Sequence, residues 1–174
     1  MPDEDLETVF RRWLIEHDGA VLRVARAYTL STEDCQDLAQ EILLQVWRSL
    51  PQFQRRASAS TWFYRVALNT ALGWRRKEHR RRTRQRPILA VEDLSGPELG
   101  GAQEIVQREA VERLYAAIRH LPKTDAALVL LYLDDLSYRQ MAEVLGISES
   151  NVGVKLNRAK KALGELLKDD SHGF

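Results

Sequence analysis

SYRQMAEVLGISESNVGVKLNRAKKAL, residues 137–163, is the stretch of this 174-residue chain that most strongly decides its fold. Ser137 and Gln140 have the spacing of a capping box at the start of a short helix, and Gly146 provides the left-handed residue that ends it. Ser148 is the expected cap of a second helix. The apolar positions of that second helix recur at spacings of four, three and four, at Val152, Leu156, Ala159 and Leu163. The segment therefore predicts a helix-turn-helix.

The second helix of this motif has a polar outward face of the kind that reads duplex DNA. At about 100° per residue, five side chains project away from the apolar stripe: Ser150, Val154, Asn157, Arg158 and Lys161. Amide and cationic groups on such a helix can reach base edges and phosphates in the major groove. A plain helical hairpin with a solvated outer face is the alternative. The caps, the glycine, the small Ala142 at the crossing and the spacing together favour DNA binding.

A basic and aromatic segment lies upstream of this motif. Residues 52–86 hold 11 basic residues and 1 acidic residue, whereas residues 1–51 hold 5 and 10, and residues 87–174 hold 10 and 14. Ser58 or Ser60 is expected to cap a helix in which Trp62, Arg65, Asn69 and Arg76 share one side. A ring for stacking, a cation for phosphate and an amide for a base edge suit single-stranded nucleic acid. The alternatives are a core role for Trp62 and a solvated tail for residues 75–86.

An acidic helix precedes the basic segment, in residues 31–50, STEDCQDLAQEILLQVWRSL, with Ser31 as its cap. Its predicted inward face is Leu38, Ile42, Leu43, Val46 and Leu50. Another face carries Asp34, Asp37, Glu41 and Gln45. Carboxylates repel DNA, so this stripe is either solvated surface or a contact for a basic protein, and taken alone it favours solvated surface.

The rest of the chain predicts an all-α fold, with two small helical domains joined by a flexible linker. Helical spacing of apolar residues runs almost throughout, interrupted first at His17-Asp18-Gly19, where one helix is expected to end and another to begin. Residues 87–101 contain two prolines and three glycines and form the predicted linker between domains at 1–86 and 102–174. Further helices are expected near residues 102–119, 124–133, 138–145 and 149–168.

Composition excludes several classes of protein. No apolar run approaches the roughly 20 residues that span a bilayer, and the N-terminus is acidic, so a cytoplasmic location is expected. The single Cys35 excludes an internal disulfide and a Cys-rich zinc site. Four histidines lie scattered, without metal-ligand or triad spacing. The sequence therefore predicts no metal, no cofactor and no catalytic site.

The order of acidic helix, basic-aromatic helix, linker and helix-turn-helix resembles that of bacterial extracytoplasmic-function (ECF) sigma factors of the sigma-70 superfamily. The resemblance is carried by DLAQEILLQVWRSLPQF at 37–53, STWFYRVALNTALGWRRK at 60–77 and LPKTDAALVLLYLDDLSYRQMAEVLGISESNVGVKLNRAKKAL at 121–163. It covers nearly the whole chain. It implies a non-enzymatic initiation factor whose partners are core RNA polymerase, through the beta-prime clamp helices and the beta flap, promoter DNA and an anti-sigma factor, with no membrane contact.

The resemblance also implies roles for particular residues. The acidic stripe becomes a polymerase contact, formed by Asp34, Asp37, Gln40 and Glu41. The domain of residues 1–86 recognises and melts the minus-10 element, with a loop at residues 55–60 that captures a flipped base. Its implied DNA contacts are Arg55, Arg56, Ser58, Ser60, Trp62, Arg65, Asn69, Arg75, Arg76 and Lys77. The helix-turn-helix reads the minus-35 element as duplex through Ser150, Asn151, Gly153, Val154, Asn157, Arg158 and Lys161.

One departure from the family pattern lies in the second helix of the motif. Gly153 and Val154 stand where the family usually has a basic residue and a small polar residue. Glycine costs about 1 kcal/mol of helix propensity but permits close backbone approach, and an outward valine can contact a thymine methyl group. The resemblance therefore does not specify the minus-35 sequence, while Asn157 and Arg158 remain suitable for adenine and for guanine or phosphate.

Two other classes of function are alternatives for this sequence. A helix-turn-helix regulator that binds duplex operators as a dimer explains residues 102–174, but it gives no role to Trp62, Asn69 or the arginine run. A nuclease is disfavoured because the basic helix has no convincing set of metal-binding carboxylates beside it.

Overall fold

The structure is a computed structural model that describes residues 5–84 and 101–171. Within these two ranges the chain forms seven α-helices and one short 3-10 turn, Leu50–Gln52, with no strand. The helices are α1 (Leu6–Tyr28), α2 (Thr32–Ser49), α3 (Ala59–Arg84), α4 (Ala102–His120), α5 (Lys123–Leu133), α6 (Tyr138–Leu145) and α7 (Glu149–Ser171). The all-α prediction is confirmed. The predicted linker, 87–101, lies outside the described residues except for Gly101.

Helices α1, α2 and α3 form the first unit, and each packs against the other two. Its core contains the fully buried Val24, Leu38, Ile42 and Phe63. The predicted cap of α2 is confirmed, because the Asp34 amide donates to the Ser31 hydroxyl at 3.1 Å. Of the two candidate caps of α3, the structure selects Ser58, whose hydroxyl accepts from the Thr61 amide at 3.1 Å.

The expected break in the first helix is wrong. Helix α1 continues through His17, Asp18 and Gly19 without interruption. A glycine inside a helix costs only about 1 kcal/mol, and burial on both sides of it offsets this: Trp13 before it and Val21 and Val24 after it all lie in the core. Tertiary packing therefore overrides the local signal.

Helices α4 to α7 form the second unit around α5, which is buried along most of its length from Asp125 to Leu131. The predicted capping box is confirmed: the Gln140 amide donates to the Ser137 hydroxyl at 3.2 Å, and the Ser137 amide donates to the Gln140 side chain at 2.9 Å. Gly146 ends α6 with φ of 67°. The Asn151 amide donates to the Ser148 hydroxyl at 3.3 Å at the start of α7.

The two units also pack against each other. Helix α1 contacts α4 and α5, and α3 contacts α6. Tyr64 of α3 is buried on this side of the first unit, where its hydroxyl donates to Asp134. None of the described helices has the length and apolar character required to cross a membrane.

Candidate nucleic-acid interfaces

Trp62 lies at the edge of the first unit's core. Its ring is half-buried and packs against Trp13 and Phe53, with centroid separations of 5.5 and 5.4 Å. Asn69 lies two turns further along α3 and is exposed. The aromatic cluster fixes the orientation of the indole, and seven residues of helix place Asn69 on the same side of α3 as Trp62. The core role weighed for Trp62 and a stacking role are therefore both compatible with this position.

The loop before α3 carries cationic side chains in an uncommon backbone conformation. Arg55 has φ of 54°, a left-handed conformation that a side chain rarely adopts without surrounding constraint. Arg55, Arg56 and Ser58 are exposed, and Ser60 is half-buried. The Ser58 hydroxyl is already engaged, since it caps α3 and also donates to the Thr61 hydroxyl at 2.9 Å. Ser58 therefore stabilises the start of α3 and the loop before it.

The second half of α3 carries mostly basic side chains. Glu78 pairs with Arg81 and Arg82 at 3.3 and 3.0 Å. Arg75 is half-buried and Arg76 and Lys77 are exposed, and within the described parts of the chain these three form no ion pair. Neighbouring like charges destabilise a helix in water, so this part of α3 is suited to an anionic partner.

Arg65 is exposed but contacts the second unit. Its guanidinium donates to the backbone carbonyl of Glu143 in α6, so the second unit holds a residue predicted to contact minus-10 DNA. The sequence contained no signal for this contact, because it joins residues 78 positions apart across the two units.

On α2, Asp37 and Gln40 are exposed, while Asp34 and Glu41 are half-buried. The Glu41 carboxylate accepts a hydrogen bond from the Gln45 amide at 2.7 Å. The same outward surface includes two exposed apolar side chains that sequence reasoning missed, Leu44 and Trp47. Leu44 follows Asp37 by seven residues and Gln40 by four, so helical spacing alone could have identified it. The face is thus an acidic stripe beside an apolar patch.

Helix α7 presents the predicted outward face. Ser150, Asn151, Asn157 and Lys161 are exposed, and Val154 is 70% exposed. Gly153 is half-buried, and a Cβ built there would lie 3.5 Å from the Tyr138 ring. Tyr138, at the start of α6, therefore lies beside the first turns of α7.

Arg158 has a partner that the sequence did not indicate. Its guanidinium lies 3.1 and 3.4 Å from the two carboxylate oxygens of Asp125 in α5, whose side chain is 5% exposed. A carboxylate this deeply buried needs a countercharge. Arg158 therefore joins α5 to α7, and its predicted DNA contact stays a prediction.

No cluster of three or more His, Cys, Asp or Glu side chains able to hold a metal occurs in residues 5–84 and 101–171. Cys35 is half-buried, and burial raises the pKa of its thiol. A raised thiol pKa lowers the fraction of reactive thiolate.

Both units match models of known protein families. Two family models match: "Sigma-70 region 2" over residues 14–81 and "Sigma-70, region 4" over residues 111–163. The chain is 31% identical over 144 residues to the ECF RNA polymerase sigma factor SigX of Bacillus subtilis strain 168, covering 78% of this chain and 73% of that relative. It is 29% identical over 152 residues to the probable RNA polymerase sigma factor RfaY of Xanthomonas campestris pv. campestris, covering 86% of this chain but spanning only 38% of that relative's length.

The fold is likewise similar to a solved structure, the sigma factor RpoE of Bartonella quintana in complex with the anti-sigma factor NepR. The TM-score is 0.72 at 18% sequence identity, with 92% of this chain and 98% of that chain covered. The match spans both units.

Proposed function

The chain belongs to the ECF group of the sigma-70 family of RNA polymerase sigma factors, and on that premise we propose which of its surfaces carry out each step of transcription initiation. The observation that carries this proposal is the presence in one chain of two different surfaces that are each suited to nucleic acid. The α3 surface offers a fixed aromatic ring, an amide and cations, whereas the α7 surface is the outer face of a helix-turn-helix. One suits unpaired bases and the other suits duplex DNA.

The outward face of α2 binds core RNA polymerase. Asp37 and Gln40, with Glu41 and Asp34 beside them, supply charge and hydrogen-bond acceptors for basic side chains of the beta-prime clamp helices. Leu44 and Trp47 supply apolar area next to them. An apolar centre with a charged rim is the ordinary anatomy of a protein interface.

Helix α3 and the loop before it open the promoter. Trp62 stacks on an unpaired base of the minus-10 element, Asn69 contacts a base edge, and Arg55, Arg56 and Ser60 border the pocket for the flipped base. Arg75, Arg76 and Lys77 bind phosphates. Two features support this arrangement: the ring of Trp62 is already oriented by Trp13 and Phe53, and the three cations have no carboxylate partner among the described residues.

Helix α7 reads the minus-35 element. Asn157 and Ser150 reach base edges, Val154 meets a thymine methyl group, and Asn151 and Lys161 bind the backbone. Gly153 lets the helix approach closely, with the ring of Tyr138 beside it. Arg158 contacts the DNA while its guanidinium remains paired with Asp125.

This proposal places the protein in the bacterial cytoplasm, where RNA polymerase works, as a binding factor and not an enzyme. By similarity to a sigma factor solved with its anti-sigma factor, we also propose that an anti-sigma factor holds this chain inactive. Contact with the beta flap through the second unit completes the set of partners.

Transcription with purified core polymerase on a pool of bacterial genomic fragments tests the proposal. The expected result is initiation at defined start sites only when this chain is added. Binding to duplex fragments without any initiation would instead favour the operator-binding regulator.

A further inference from the structure

A cavity of about 190 Å³ lies at the seam between the two units, where α1 contacts α4 and α5 and where α3 contacts α6. The end of α1, the first turn of α2, the second half of α3 and the end of α4 supply its wall. Pockets for drug-sized ligands begin at roughly 300 Å³. The cavity therefore suits a small ligand, with no more than a single ring.

Arg119 brings a half-buried cation to this cavity from the end of α4. Its guanidinium donates to the Arg26 carbonyl at 3.2 Å, which uses one of its five N–H groups. Arg26 has its own ion pair with Glu112, and in residues 5–84 and 101–171 no carboxylate pairs with Arg119. Burial and the like charge of Arg26 lower the pKa of Arg119. A cation that has lost water without gaining a carboxylate is unfavourable, so this guanidinium is suited to an anion.

Arg75 reaches the same cavity from α3. It is half-buried and, within the described parts of the chain, forms no ion pair. Burial raises the pKa of the neighbouring Tyr28 to about 12, and the charge of Arg75 opposes this rise. The Tyr28 hydroxyl in turn lies 3.5 Å from the Lys123 carbonyl, at the start of α5. Two cations, one from each unit, therefore line one cavity without a countercharge.

The acidic residues of the wall do not neutralise these two cations. Glu78 is paired with two other arginines of α3, and Asp34 lies in the first turn of α2, where the helix dipole favours negative charge. Ala27, Leu30 and Trp74 supply an apolar part of the wall. A phosphate ester matches both parts, because its charged oxygens suit guanidinium groups and its organic group suits the apolar wall.

We propose that this cavity is a binding site for a small phosphate ester, whose phosphate lies between Arg75 and Arg119 and whose organic group lies against Trp74. The site does not rest on the proposed function. A bound ester engages Arg75, which the proposed function assigns to a promoter phosphate. The ester and promoter DNA therefore compete for one guanidinium.

Titration of the full chain with phenyl phosphate, followed through the arginine Nε–H signals in NMR spectra, tests the site. The signals of Arg75 and Arg119, assigned with the variants Arg75→Lys and Arg119→Lys, should shift saturably with one dissociation constant. Inorganic phosphate should shift the same two signals with an affinity about threefold or more weaker, because it has no apolar surface to bury. An unshifted Arg119 signal, or equal affinity for the two compounds, would overturn the proposal.

Arg119→Met should weaken phenyl phosphate binding about tenfold or more, because it removes a charged hydrogen-bond donor while keeping an extended side chain. The matched controls are Arg113→Met on α4 and Arg80→Met on α3, which remove the same charge at exposed positions outside the cavity wall. At about 0.15 M salt, where distant charges are screened, both should bind within about twofold of wild type. Equal weakening by all three variants would mean that anions are attracted only to a basic surface, and would overturn the site. If Arg119→Met does not fold, as judged by thermal melting, the wild-type titration decides.

A single-stranded oligonucleotide distinguishes a small ester from the phosphates of DNA. Arg119→Met should leave oligonucleotide affinity within about twofold of wild type, because Arg119 lies on α4, outside both proposed DNA surfaces. Equal weakening of oligonucleotide and phenyl phosphate binding by this variant would mean that the cavity belongs to the DNA surface, and the small-ligand site would be wrong.

Discussion

Two buried carboxylates show how single residues organise this molecule. Asp125 and Asp134 each neutralise an arginine from another helix, Arg158 and Arg23 respectively. Each pair joins elements distant in sequence. A buried carboxylate left without its partner is strongly unfavourable, so these positions specify which helices meet.

The Arg158 ion pair gives a prediction at this scale. Arg158→Ala should lower the unfolding free energy of the second unit by about 1 to 3 kcal/mol, because Asp125 loses its countercharge in the core while the exposed side of the pair limits the loss. Asn157→Ala should leave stability unchanged and instead cost about 1 to 3 kcal/mol of discrimination at one base pair. Thermal melting and minus-35 binding to a panel of duplexes measure both. Equal melting temperatures for the two variants would contradict the structural role of Arg158.

Trp62 gives a second prediction. Its contacts with Trp13 and Phe53 mean that truncation to alanine would disturb the core as well as DNA binding. Trp62→Phe keeps a planar ring, whereas Trp62→Leu keeps apolar contact without a stacking face. Stacking contributes about 1 to 3 kcal/mol per base, so promoter opening, read as permanganate reactivity of minus-10 thymines, should persist with phenylalanine and fall roughly tenfold or more with leucine. Melting and co-elution with polymerase check the fold and the assembly. Normal opening by a folded, polymerase-bound Trp62→Leu would rule out the stacking role.

Helix α2 shows how a whole element combines core and interface. Leu38, Ile42 and Val46 are buried on one side, while Asp37 and Leu44 lie on the other. The same period of 3.6 residues that builds the core also aligns the outward residues.

Charge reversal tests this outward face as a unit. Asp37→Lys with Glu41→Lys should weaken core-polymerase binding by about 2 kcal/mol or more, because both carboxylates face cations in the proposed complex. The matched control is Glu104→Lys with Glu109→Lys on α4, which makes the same charge change at exposed positions of the second unit. Titration of labelled protein with core polymerase measures the difference. Equal affinities for the two double variants would mean that the acidic stripe is solvated surface and not a polymerase contact.

At the scale of the whole molecule, the seam determines whether the two units behave as one body. The sequence predicts that proteases cut first between Pro87 and Gly101, which lies outside the described residues except for Gly101. Because the units pack together, the fragments of residues 1–86 and 102–174 should remain associated after cleavage.

Gel filtration of the cleaved protein checks this expectation. The wild-type fragments should co-elute. For Asp134→Asn, the concentration below which the fragments separate should be roughly tenfold higher or more, because a loss of about 1.4 kcal/mol in association raises the dissociation constant tenfold. Separate elution of the wild-type fragments at micromolar concentration would show that the seam is too weak to hold the two units together.

The helices and the surfaces they present could be read largely from the sequence. Apolar spacing predicted α2 and α4 to α7, and the serine caps and Gly146 predicted where several of them begin and end. These signals are local, since a cap or a turn depends on residues only a few positions apart. The outward positions of α7 followed from the same periodicity, and the family followed from the order of the segments.

What the sequence could not determine depends on residues far apart along the chain. Three features result from tertiary packing: the continuity of α1 through Gly19, the pairing of Arg158 with Asp125, and the hydrogen bond from Arg65 to α6. The burial of Tyr64 against the second unit likewise has no local signal. Periodicity reports which side of a helix is apolar but not which helix covers it, so the sequence determined the elements and their faces, and only the tertiary structure decided that the two units meet at Asp134.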